Sequence, residues 1–134
     1  MVNLFFLLVL LFCKSVLGKI DSPIIQPIPI SGNIIEGQKF KLGCTVFSGS
    51  TPIKFEWYKN DKKIKPGEEF SIRSNYEDSS DLIINPVRMQ NSGLYVCVAS
   101  NGGGSDSTRV EIRVQGTEKM TTHCKVDCWL CLTF

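Results

Sequence analysis

Asn91-Ser92-Gly93-Leu94-Tyr95-Val96-Cys97 is the stretch whose reading decides the fold. A turn, Asn-Ser-Gly, delivers the chain into alternating residues. Successive side chains of a strand point to opposite faces, so Tyr95, Cys97 and Ala99 share one face, and Leu94, Val96 and Val98 the other. A Tyr two positions before a Cys marks a tyrosine corner, whose phenol packs inward while its hydroxyl bonds back to the backbone a few residues upstream. If Cys97 is one half of a bridge across two packed sheets, a second Cys and a nearby Trp should lie upstream. Cys44, in Phe40-Lys41-Leu42-Gly43-Cys44-Thr45-Val46, and Trp57, in Ile53-Lys54-Phe55-Glu56-Trp57-Tyr58, stand there.

Working outward, the same period of two recurs in short segments. Phe40, Leu42, Cys44 and Val46 face inward on one strand, and Ile53, Phe55 and Trp57 on the next, with Lys54, Glu56 and Tyr58 outward. Asn60-Asp61 makes a turn, and Ile64 caps a short strand before Pro66-Gly67. Phe70-Ser71-Ile72-Arg73 reads as a strand. Ser80 to Asn85 reads as another, with Leu82 and Ile84 inward, ended by Pro86, and Val87 plugs the bottom of the core. Asn101-Gly102-Gly103-Gly104 supplies residues that tolerate positive φ for a hairpin return. A last strand runs from about Ser107 to Gln115, with Val110, Ile112 and Val114 inward. At the other end, Ile24 to Ile30 carries Pro27 and Pro29, which cannot donate to a ladder, so it reads as a broken edge strand. Short strands at regular intervals between turns predict a two-sheet sandwich.

Cys44, Trp57, Leu82-Ile83-Ile84, Gly93-Leu94-Tyr95-Val96-Cys97 and Ala99-Ser100-Asn101 resemble the framework of an immunoglobulin domain of the I-set type, over about Ile20 to Val114. Glu36-Gly37-Gln38, Ser48-Gly49, Pro52-Ile53-Lys54-Phe55-Glu56-Trp57 and Ala99-Ser100-Asn101-Gly102 further resemble single domains of arthropod Down syndrome cell adhesion molecules (Dscam). The resemblance implies an all-β, Greek-key β-sandwich with one inter-sheet disulfide, Cys44 to Cys97, and Trp57, Leu82 and Tyr95 in its core. Closing that loop of about fifty residues is worth roughly 4 kcal/mol in the chain-entropy model. The implied function is cell adhesion or cell-surface recognition, with homophilic contact one of its forms. The alternative is a soluble immune-recognition or decoy factor that binds a microbial or receptor ligand. One position departs from the family: Asn91 stands where Asp commonly pairs with a basic residue near the fourth main strand, which leaves Arg73 short of that ionic partner and a hydrogen bond as the contact still open to the pair.

Leu4 to Phe12 is an unbroken apolar run followed by Cys13-Lys14-Ser15-Val16-Leu17-Gly18. That is the length of a signal-peptide core and too short to cross a bilayer of ~30 Å as a helix. Residues 1–18 are therefore expected to be a signal peptide, 19–115 the immunoglobulin-like domain, and the product secreted or extracellular. The chain is 43% hydrophobic and 21% charged, ordinary globular values. Its net charge of +2 becomes +1 without Lys14. Such a balance points to no nucleic acid and no anionic membrane, and no stretch is long enough for a membrane span.

Residues 116–134 change character and are expected to form a disordered, cysteine-containing tail. His123, Cys124, Cys128 and Cys131 supply zinc-ligand types but are crowded into a segment with no fold around them, so no metal is expected. Cys131-Leu132-Thr133-Phe134 has the outline of a prenylation box, but prenylation acts on cytosolic ends. Five cysteines remain after signal removal, and the odd count allows a covalent dimer through the tail.

Catalysis finds no support: His123, in the tail, is the chain's one histidine, and no nucleophile within the domain has a base beside it. No cofactor is implied. A binding module is left, with a protein partner, another immunoglobulin domain among the candidates. The outward residues Leu94, Val96 and Val98, with Tyr58, Arg109, Lys54, Glu56 and Glu111 around them, form an apolar centre in a mixed-charge rim, a composition suited to protein contact. Its members most expected to touch a partner are Tyr58, Leu94, Val96, Val98 and Arg109. The edge around Ile28 to Ile35 is a second candidate, by strand pairing. No Asn-x-Ser/Thr acceptor occurs in the chain, so no N-linked glycan should mask either surface.

Overall fold

The computed structural model describes residues 18–30 and 33–116. Ten strands follow in chain order: β1 Ile24–Ile25, β2 Ile34–Ile35, β3 Phe40–Ser48, β4 Lys54–Lys59, β5 Lys62–Lys63, β6 Phe70–Tyr76, β7 Ser79–Ile84, β8 Gly93–Asn101, β9 Gly104–Ile112 and β10 Val114–Gln115. They form one sheet in the order β1-β3-β7-β6 and a second in the order β5-β4-β8-β9, with a separate β10-β2 ladder. All pairs are antiparallel except β2 with β10, which is parallel.

The period of two places the core where the sequence asks for it. Leu42, Cys44 and Val46 of β3 are buried, as are Leu82 and Ile84 of β7, Trp57 of β4, Tyr95, Cys97 and Ala99 of β8, and Val110 and Ile112 of β9. Burying a side chain such as Leu82 contributes about 1.5–3 kcal/mol relative to leaving it in water. Val87 closes the lower end, its N–H donating to the Gln38 carbonyl and its carbonyl accepting from the Gly37 N–H. Ile64 is buried just after β5.

The two sheets are joined twice, side by side. Cys44 of β3 is bonded to Cys97 of β8. Cys44 pairs with Ser80 across β3–β7, and Cys97 with Trp57 across β4–β8. The indole Nε1 donates to the Ser80 hydroxyl at 3.1 Å, so a buried hydrogen bond crosses the core beside the covalent link. Tyr95 completes the corner: its hydroxyl donates to the Asn91 carbonyl at 2.8 Å. Burial, then the Glu69 carboxylate, push the Tyr95 phenol far above the ordinary tyrosine range.

Three expectations change. Of the broken edge segment Ile24 to Ile30 only Ile24–Ile25 is strand, and a further short strand, Ile34–Ile35, follows it. Ile24–Ile25 lies on β3, and Ile34–Ile35 crosses to run parallel with Val114–Gln115. One edge of Ile34–Ile35, in the lower part of the Ile28 to Ile35 candidate, is thus already paired within the chain. The last strand breaks at Arg113 into β9 and β10 and begins three residues earlier than expected. The β8–β9 hairpin keeps its expected chemistry: within Asn101 to Gly104 a positive φ falls on Gly104, at +150°, while Asn101 Oδ1 accepts from the N–H groups of Gly103 and Gly104. The third change concerns Asn91. Its fully buried amide donates to Glu69 Oε1 at 2.6 Å and accepts from the Arg88 N–H at 2.6 Å. Its partner is therefore an acid just before β6. Arg73 stands opposite Asp81 in the β6–β7 ladder instead.

Candidate functional site

The outer face of the β5-β4-β8-β9 sheet gathers residues from four strands into transverse rows. Lys63 pairs with Tyr58, Tyr58 with Val96, and Val96 with Arg109. Directly paired residues share a face, so these four form one line across the sheet. Glu56, Val98 and Ser107 form the next line, and Lys54, Ser100 and Ser105 the one beyond. Leu94, paired with Glu111, lies on the other side of the first. The five residues Tyr58, Leu94, Val96, Val98 and Arg109 thus sit on one surface. Leu94, Val96, Val98 and Tyr58 are half-buried and Arg109 is exposed.

Gly93 lets the face begin where it does. Its φ is +147°, and a side chain there would come within 2.8 Å of Asn60 Oδ1. That oxygen accepts the Leu94 N–H at 3.0 Å, while the Asn60 N–H donates to the Leu94 carbonyl at 2.9 Å. The β4–β5 turn is thereby bolted to the start of β8. Asn60 and Asp61 both take positive φ, as a tight hairpin of right-handed twist requires.

One carboxylate organises the rim. Glu56 accepts from Lys63 Nζ at 2.6 Å, Lys54 Nζ at 3.1 Å and the Tyr58 hydroxyl at 2.9 Å. These donors hold its pKa down at about 2, with the Lys63 bond the largest cause, then Lys54, then Tyr58. In return the Glu56 bond raises the pKa of Tyr58 and of Lys63. The cluster thus gathers one tyrosine hydroxyl and two lysines on a single carboxylate. At the opposite rim Glu111 takes Arg113 at 3.3 Å.

The sequence did not indicate what positions the upper end of the domain. Asn101 Nδ2 donates at 2.7 Å to both the Asp21 and Ser50 carbonyls, tying the β8–β9 hairpin to the first segment and the β3–β4 loop. Asp106 Oδ2 accepts the Ile25 N–H at 2.8 Å, joining β1 to the edge of β9. An Asn leading a glycine run was the available signal for the first; nothing in the pattern marks the second. Away from the four-strand face, Phe47 and Ile24 are prominently exposed on the β1–β3 side.

Among the described residues no group of His, Cys, Asp and Glu could hold a metal ion, and no helix is long and apolar enough to cross a membrane. Residues 1–17 and 117–134 lie outside the described residues, and with them the signal-peptide reading and His123, Cys124, Cys128 and Cys131.

Comparison with known proteins agrees with this architecture. The family model of the immunoglobulin I-set domain matches residues 23–114. The chain is 34% identical over 93 residues to cell adhesion molecule DSCAML1 of Mus musculus, covering 69% of this chain and 4% of that one. It is 32% identical over 93 residues to hemicentin-1 of Homo sapiens, covering 69% and 2%. The chain thus spans only a small fraction of the length of these relatives. Among solved structures, the Dscam1 Ig7 domain, isoform 5, superposes with a TM-score of 0.67 at 29% identity, covering 73% of this chain and all of that one. The titin I-band fragment I67–I69 superposes with a TM-score of 0.64 at 30% identity, covering 71% and 33%. With its two sheets, its Cys44–Cys97 bridge against Trp57 and its tyrosine corner at Tyr95, the chain belongs to the immunoglobulin I-set family, a family of protein-binding modules.

Proposed function

We propose that this chain is an extracellular or cell-surface recognition module, acting in cell adhesion, that binds another protein through the outer face of the β5-β4-β8-β9 sheet. The observation that carries the reading is the half-buried line of Leu94, Val96 and Val98 inside a rim of charged side chains. An apolar centre that excludes water within a polar rim is how protein interfaces of modest size are built. The disulfide supports an oxidising compartment, and the apolar run Leu4 to Phe12 supports export by a signal peptide over residues 1–18. Residues 19–115 then form the binding domain and 116–134 a tail whose cysteines allow covalent pairing. The similarity to a protein named as a cell adhesion molecule supports the adhesive role.

The test is adhesion of beads coated with the chain to cells of the source organism. Val96→Lys places an ammonium at the centre of the apolar line without touching the core. Adhesion is expected to fall at least tenfold, the equivalent of about 1.4 kcal/mol, with circular dichroism and melting unchanged. Equal adhesion by the two proteins refutes the assignment of this face.

A further inference from the structure

The charge on the face decides what can cover it. Lys54 and Lys63 share a single carboxylate, Glu56, at one side. Arg109 stands at the other side, separated from Lys63 by the width of three strand spacings, about 14 Å. Glu111 is taken by Arg113. Both margins of the apolar line are therefore net positive.

A second copy of the chain laid face to face on this surface must obey a twofold axis lying between the two sheets. With that axis along the strands, the β5 margin of one copy lies over the β9 margin of the other, and Lys63 meets Arg109. With the axis across the strands and over the Lys63–Arg109 row, Lys63 meets Lys63 and Arg109 meets Arg109. Both strand-aligned arrangements set cations against cations, which costs affinity and specificity at an interface.

We propose that the occupant of this face is a different protein that presents carboxylates on either side of an apolar ridge, and that a second copy of this chain is excluded from it. This rests on the face being the binding surface. A sulfated polysaccharide fits less well, because its anions follow a continuous track of cations, whereas here Tyr58 and Val96 stand between Lys63 and Arg109, about 14 Å apart.

Arg109→Glu converts the chain into a probe of the required chemistry. It retains the apolar line but now carries a carboxylate where a partner copy would present Lys63. The full chain, with free thiols alkylated, is examined by sedimentation equilibrium at low salt. The wild type should remain monomeric, Arg109→Glu should self-associate at least tenfold more tightly, and an equimolar mixture should fall between. The gain should vanish in high salt and in Arg109→Glu/Val96→Lys. A wild-type dimer that Val96→Lys dissolves overturns the exclusion of a second copy. An Arg109→Glu protein that stays monomeric overturns the electrostatic argument while leaving the face itself standing. An Arg109→Glu dimer indifferent to Val96→Lys shows that the surface, and with it the proposed function, is wrong. Retention of the wild type on immobilised heparin that Arg109→Glu abolishes and Val96→Lys leaves unchanged assigns the face to polysaccharide and overturns the proposal.

Discussion

Asn91→Asp is the most informative single substitution in the core. Asn91 is fully buried and makes two hydrogen bonds of 2.6 Å, donating through Nδ2 to Glu69 Oε1 and accepting from the Arg88 N–H through Oδ1. Replacing the amide by a carboxylate keeps the shape and the bond from Arg88. It removes the donor and sets a second negative oxygen against Glu69. A hydrogen bond to a charged partner is worth about 1.5–3 kcal/mol. Glu69 is itself exposed and can turn toward water, which limits the added repulsion. A loss of about 2 kcal/mol at neutral pH is expected, or roughly 8–16 °C in melting temperature for a domain of this size.

The pH dependence has a definite sign. In the variant the crowded carboxyl pair titrates higher in the folded than in the unfolded chain. The protonated pair is favoured by folding, so the deficit is fully present well above that range and shrinks as pH falls toward the unfolded carboxyl range near 4. Glu69→Lys in the Asn91→Asp background should restore a favourable pair and recover most of the loss. Urea denaturation of the four proteins of this cycle gives the coupling directly. Equal stability of Asn91→Asp and wild type at pH 7, or no rescue by Glu69→Lys, refutes the pairing of Asn91 with Glu69.

Two further outcomes are expected. Trp57→Phe leaves the buried Ser80 hydroxyl without its indole donor and opens space beside the disulfide; a loss of about 2–3 kcal/mol should appear in chemical denaturation, and an unchanged midpoint would contradict the second tie between the sheets. Glu56, with its pKa lowered to about 2 from 4.5, should contribute stability that is present above pH ~4.5 and lost as pH falls through ~2. Carboxyl NMR should show its late titration, and Glu56→Gln should abolish the pH dependence in that window.

The parts of the fold legible in the sequence are those in which neighbouring residues carry the information. Tyr95, Cys97 and Ala99 against Leu94, Val96 and Val98 is a period of two, and pleating alone sorts it into core and surface. Cys44 and Trp57 stand on inward faces of their own alternating strands, and the resemblance to an immunoglobulin framework is what sets the bridge and the indole together. The candidate face followed from the same alternation, since whatever is not inside a sheet must be outside it.

What the chain did not disclose locally depends on register and on partners far away in sequence. The split of the first edge into Ile24–Ile25 and Ile34–Ile35 turns on where Val114–Gln115 ends, some eighty residues later. Glu69 becomes the partner of Asn91 only because the approach to β6 passes beneath the corner at Tyr95. Lys63, Tyr58, Val96 and Arg109 align only once three ladders have chosen their registers. A one-residue slip in any ladder reverses every side chain on that strand, and burial of a whole face selects among slips. Local alternation therefore determined which side of most strands is wet, with Ile83 of β7 buried on the far side from Leu82 and Ile84, whereas the packing of two sheets decided which wet residues stand together and what charge they show a partner.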